Sequence, residues 1–100
     1  MPKTYLEFEN SINFDSPSKE WPEALQAMWW DSKGNWQKSH DLAEDINSNL
    51  GNWIHAYLHR KDGDQWNAGY WYQRAGRAFP VKTLEEECKE LVLSILNEQP

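Results

Sequence analysis

Residues 21–46 read WPEALQAMWWDSKGNWQKSHDLAEDI, and residues 50–75 read LGNWIHAYLHRKDGDQWNAGYWYQRA. A shift of 29 positions lays one on the other: Trp21 falls on Leu50, Leu25 on Ile54, Ala27 on Ala56, Trp29 on Leu58, Gly34 on Gly63, Asn35 on Asp64, Ser39 on Ala68, Leu42 on Trp71 and Ile46 on Ala75. Apolar residues recur at helical spacing on both sides of each glycine. Glycine followed by Asn or Asp ends one helix and caps the next. Each copy therefore predicts a helical hairpin, and the duplication predicts two hairpins stacked so that each covers the other's apolar face. Small side chains at Ser39 and Ala68 let the paired helices approach closely.

Working outward, Pro22 suits the first turn of the first helix, with Ser18 a possible cap upstream and Glu23 favourable near the positive end. Asn35 caps a second helix, Trp36 to Ile46, and Asn47-Ser48-Asn49 connects it to a third, Leu50 to Lys61. Asp64 caps a fourth, Gln65 to Ala75. After the break at 76–80, Thr83 with Glu86 forms a capping box that starts a last helix, Leu84 to Asn97. That helix buries Leu84, Cys88, Leu91, Val92 and Ile95, pairs Glu85 with Lys89 one turn apart, and is expected to close the end of the stack. Residues 1–20 form an arm whose rings pack on the helical body. Its conformation is open: Leu6 and Phe8 alternate as on a strand, whereas Tyr5, Phe8 and Ile12 share a helical face.

Composition agrees with an all-α single domain of 100 residues. Leu, Ile, Val and Phe total only 18, but seven Trp and four Tyr make up the apolar area. Val, Ile and Thr together number 8, too few for a sheet protein. No stretch is apolar enough to span a membrane, and Lys3, Glu7 and Glu9 interrupt the start where a signal peptide needs an apolar run. A soluble cytoplasmic chain is expected, and the single Cys88 fits a reducing compartment. Net charge is −6, divided as −4 over residues 1–31, +2 over 32–82 and −4 over 83–100. An acidic molecule has no general attraction for phosphate backbones, so nucleic acid is excluded as a partner.

Gly34-Asn35-Trp36 followed by Ser39, and Gly63-Asp64 followed by Ala68, Tyr72 and Ala75, resemble the tetratricopeptide turn. The period here is 29 where that family has 34, and Ala43 stands where the aromatic is expected in the first copy. The resemblance covers residues 21–76 and implies protein or peptide binding along a groove lined by the first helix of each pair. The strings Met28-Trp29-Trp30-Asp31, Trp53 to Lys61 and Tyr70 to Arg77 are also similar to a group of small bacterial proteins of unassigned activity, a likeness that implies no reaction and no site residue.

Several residues carry possible chemistry. His55 and His59 lie four apart on the third helix, the spacing that lets two imidazoles reach one metal ion, with His40, Asp41 or Asp62 as a third ligand. Their direction is away from the Leu50, Ile54, Tyr57 stripe, and Ala56 stands where a His-Glu-x-x-His motif needs its general base. The expectation is therefore ordinary hydrogen-bonded imidazoles, with no metal and no cofactor. Arg60, Arg74 and Arg77, with Tyr70 and His59 nearby, could meet a carboxylate or phosphate together. Trp29, Trp36, Trp53 and Trp71 fall on apolar stripes and are assigned to the core. Trp30 and Trp66 do not, and they are the candidates for an exposed partner surface. Cys88, on the apolar face of the last helix, is expected to be inert. The reading is an interaction module for a protein or peptide rather than an enzyme. The alternative is an enzyme, or a small-anion or metal-binding protein, built on the His, Arg and Tyr cluster.

Overall fold

Gly34 and Gly63 each adopt the left-handed region, with φ of 92° and 83°, where a side chain would be strained. Around each, the same hydrogen bonds close the turn. Asn35 N donates to Trp30 O at 2.8 Å and Asp64 N to His59 O at 2.9 Å, while Gly34 N donates to Asp31 O and Gly63 N to Arg60 O. These are Schellman turns, which satisfy carbonyls that a helix end leaves open. The next residue caps the following helix: the Asn35 side chain accepts from Lys38 N, and that of Asp64 from Asn67 N. Equivalent residues at the expected spacing thus build equivalent turns.

The structure, a computed structural model, describes residues 1–98, all of whose regular structure is helical. The order is α1 (Tyr5–Ser11), α2 (Glu23–Ser32), α3 (Trp36–Glu44), α4 (Asn49–Lys61), α5 (Gln65–Arg74) and α6 (Leu84–Asn97). Helices α2 and α3 form one hairpin and α4 and α5 the other, and the two meet through α3 against α4 and α2 against α4. None of the helices is long and apolar enough to cross a membrane. Ala27, Ser39, Ala56 and Ala68, equivalent pairs under the 29-residue shift, are all completely buried. At the first crossing Ser39 Oγ also donates to the carbonyl of Ala27, at 2.6 Å.

Some features settle what the sequence left open, and others depart from expectation. The arm is resolved in favour of helix: Thr4 caps α1, which seats Phe8 in the core and leaves Leu6 exposed. Pro22 stands just before α2, its carbonyl accepting from Leu25 N and Gln26 N, and Ser18 takes no part in capping it. Helix α4 begins one residue early because the Ser48 side chain accepts from Gly51 N. The largest difference concerns α6. Its start is the expected capping box of Thr83 and Glu86, yet it packs on α2 and α4, the first helix of each hairpin, with α1 at its side. Leu91, Val92 and Ile95 thereby join Leu25, Met28, Trp29, Ile54 and Leu58 in one core. The last helix therefore fills the face between the hairpins' first helices and does not close the end of a stack. Lys89 stands over the ring of Tyr5, whereas Glu85 was its expected partner.

Candidate functional site

Two buried carboxylates tie helices together across the core. Glu87, 1% exposed, projects from α6 and accepts from Arg60 Nη1 at 2.8 Å, Trp53 Nε1 at 3.1 Å and the Tyr72 hydroxyl at 2.6 Å. Asp31, on α2, accepts from the Tyr57 hydroxyl and from Lys61 Nζ, each at 2.9 Å. Burial and the neighbouring carboxylate push both phenols well above the usual tyrosine range, so both stay protonated and donate to their carboxylates. A buried charge is tolerable only when paired and fully hydrogen-bonded, and both acids meet that condition. Neither was anticipated. The signal was present for Glu87, which shares the helical stripe of Leu84, Cys88, Leu91 and Ile95.

The arginines do not converge on an anion. Arg60 is taken up by Glu87 and by the carbonyl of Lys82. Arg77 pairs with Glu90 at 2.7 Å and lies 3.5 Å from the centre of the Trp53 ring, and Lys82 also pairs with Glu90. Arg77, Lys82, Glu87 and Glu90 line a cleft of about 540 Å³ with Phe79 and Pro80, and both of those cations already pair with Glu90. Arg74 stands apart on α5, 3.2 Å from the Tyr70 hydroxyl and over the Trp71 ring. The expected joint anion site of Arg60, Arg74 and Arg77 is thus dispersed.

The tryptophans divide much as read. Trp29 is wholly buried, and Trp53 nearly so, while Trp36 and Trp71 pack at the core's margin. Trp66 is 79% exposed. Trp30 differs from expectation: it is half-buried, edge-on to Trp29 at 4.9 Å, with Lys38 Nζ 4.2 Å above its ring. Cys88 is half-buried, and burial raises its thiol above the ordinary range, as an unreactive cysteine requires.

His55 and His59 point away from the main stripe of α4, as expected, and pack against neighbouring helices, but with no tyrosine or carboxylate hydrogen-bonded to them among the described residues. His55 is only 6% exposed, because the face of α4 opposite its main stripe is covered by α3 and α5. Trp71 of α5 and His59, one turn along α4, both stack on its imidazole. From α3, His40 approaches edge-on, its Nε2 3.0 Å from His55 Nε2. His40 is itself stacked on Trp36, whose Nε1 donates to Leu58 O at 2.8 Å. One ligand atom from each of His40, His55 and His59 lies within 4.8 Å of the other two. Burial, then the neighbouring imidazoles, lower the His55 pKa to about 4. Burial likewise lowers that of His59. At neutral pH, therefore, His55 and His59 are neutral, and each has one unprotonated ring nitrogen able to accept a hydrogen bond or bind a cation.

No family model, curated protein or solved structure matches the chain.

Proposed function

We propose that this chain is a small tetratricopeptide-like interaction module that binds a protein or peptide through the outer face of α5. The observation that carries the reading is a stripe of three side chains. Trp66 is 79% exposed and Tyr70 45% exposed, and Arg74 follows at the same spacing of four. Successive steps of four residues advance only about 40° around a helix, so the three share one face. Trp, Tyr and Arg are the side chains that dominate binding energy at protein interfaces. The other six tryptophans are buried or half-buried, which makes this indole left in water the exception among them. Arg74 makes no ion pair among the described residues, and it is available to a partner carboxylate.

Further support comes from the twin turns at Gly34 and Gly63 and their resemblance to the tetratricopeptide turn. In that family a groove lined by the first helix of each pair takes the ligand. Here α2 and α4 already carry α6, and the reading therefore moves the partner to the second hairpin's outer helix.

Affinity capture from cells of the source organism, with the wild-type chain and a Trp66→Ala/Tyr70→Ala variant, tests this reading. Both baits should melt alike, and a partner retained by the wild type should be lost by the variant. Capture that is the same with both baits overturns it.

A further inference from the structure

We propose that His40, His55 and His59 form a binding site for one divalent transition-metal ion of the zinc class. The geometry is close to what such an ion needs. Metal–nitrogen bonds of about 2.0–2.1 Å in tetrahedral geometry place ligand nitrogens roughly 3.3 Å apart. His40 Nε2 and His55 Nε2 are already 3.0 Å apart, and one ligand nitrogen from each of the three rings lies within 4.8 Å of the other two. His59, half-buried where His55 is buried, has the greater freedom to close the remaining distance.

The rings are also held in place. Trp36, fixed by its bond to Leu58, stacks on His40, and Trp71 stacks on His55 at 3.9 Å. Rigid support of this kind lowers the ordering cost of bringing three ligands to one point.

Without an ion the cluster is poorly satisfied. The single hydrogen bond that these imidazoles make among the described residues is the one between His40 and His55. His40 Nδ1 is buried with no partner, which is unusual for a polar atom in a packed interior. Among the described residues no carboxylate or carbonyl is hydrogen-bonded to these rings, although oxygens of Asp41 and Glu44 lie within 4.8 Å of a His40 nitrogen.

The donor set defines the class of cation. Three imidazoles without a carboxylate suit zinc, cobalt, nickel or copper and discriminate against magnesium and calcium, which favour oxygen. His40 and His59 are only half-buried, which leaves the cluster partly open to solvent.

The test uses the full chain without an affinity tag, stripped with a chelator. Calorimetry with Zn²⁺ should give one ion per chain with a Kd of about 10 μM or tighter. Co²⁺ should produce the visible absorption of a low-coordinate nitrogen site, and Mg²⁺ should give neither signal. His40→Gln and His59→Gln, each checked by its unfolding transition, should each weaken Zn²⁺ binding about tenfold or more. Weaker binding by the wild type, or binding unchanged in either variant, overturns the proposal. So does a loss on Asp41→Asn/Glu44→Gln that His59→Gln does not reproduce, since it would place the ion among His40, Asp41 and Glu44 on α3.

Discussion

The indole of Trp71 lies flat on the imidazole of His55, with ring centroids 3.9 Å apart and planes 14° from parallel. This contact removes water from one face of a ring that His40 and His59 also crowd, and burial is the leading cause of its pKa near 4. In the unfolded chain the same imidazole takes its proton near 6.5. Between these values the unfolded state binds more protons, so His55 favours folding fully above about pH 6.5 and progressively less as pH falls toward 4. Its contribution is on the order of 3 kcal/mol. The melting temperature of the metal-free chain should fall between pH 7 and pH 4.5, with His55→Gln flattening that slope. In an NMR titration, Trp71→Leu should raise the His55 pKa toward the ordinary range. A wild-type melting curve indifferent to pH over this range would contradict the account.

Glu87 ties α6 to α4 and α5 through Arg60, Trp53 and Tyr72. Glu87→Leu removes the acceptor and leaves a largely buried guanidinium, an indole and a phenol without a partner, at a cost of about 3–5 kcal/mol. Arg60→Leu added to it should recover part of the loss, because the unpaired charge goes too. Urea denaturation of the two single variants and the double variant measures the coupling. Additive losses would show that the pair is not acting as one unit.

Two glycines in helices should respond oppositely to alanine. A Cβ on Gly51 would run into the carbonyl oxygen and side chain of Ile46, whereas one on Gly69 meets nothing within 4 Å. Gly51→Ala should therefore cost roughly 1–3 kcal/mol or more by overpacking the entry to α4. Gly69→Ala should add about 0.5–1 kcal/mol by restricting the unfolded chain and favouring helix. Thermal unfolding of the two variants should move in opposite directions.

The tryptophans provide a graded series. Trp66→Ala should alter stability by no more than about 0.5 kcal/mol, as at other exposed sites. Trp29→Ala should cost about 3–5 kcal/mol, since it empties a fully buried volume and loses the bond from its Nε1 to Ser11 O. Trp30→Ala should fall between them, because its ring rests against Trp29. If Trp66→Ala melts many degrees lower, the α5 face is part of the fold and is not open to a partner.

Local signals carried most of the helical pattern. Gly34, Gly63, Asn35, Asp64 and Thr83 specify turns and caps through bonds that reach at most five residues along the chain, so their effect can be read without knowing what lies across the molecule. The same holds for the exposure of Trp66, which sits off every apolar stripe. Trp30 also sits off the stripe but is half-covered, because its immediate neighbour Trp29 and the cation of Lys38 close over it.

Spacing along one helix gives the direction of a side chain but not the presence of a second helix on that side. His55 points away from the main stripe of α4, and only the arrival of α3 and α5 turns that side into an interior. The convergence of His40 with His55 and His59 likewise depends on where α3 meets α4. Glu87 reads as a favourable charge near a helix start, yet its burial follows from α6 packing on α2 and α4, which brings Arg60, Trp53 and Tyr72 to one carboxylate. The sequence by itself determined the duplicated turns, the helix limits to within a few residues and the aromatic core, all of which rest on local bonding and periodicity. The placement of α6, the dispersal of the arginines and the meeting of three imidazoles were decided by tertiary packing, because each depends on groups far apart in the chain whose approach no local interaction specifies.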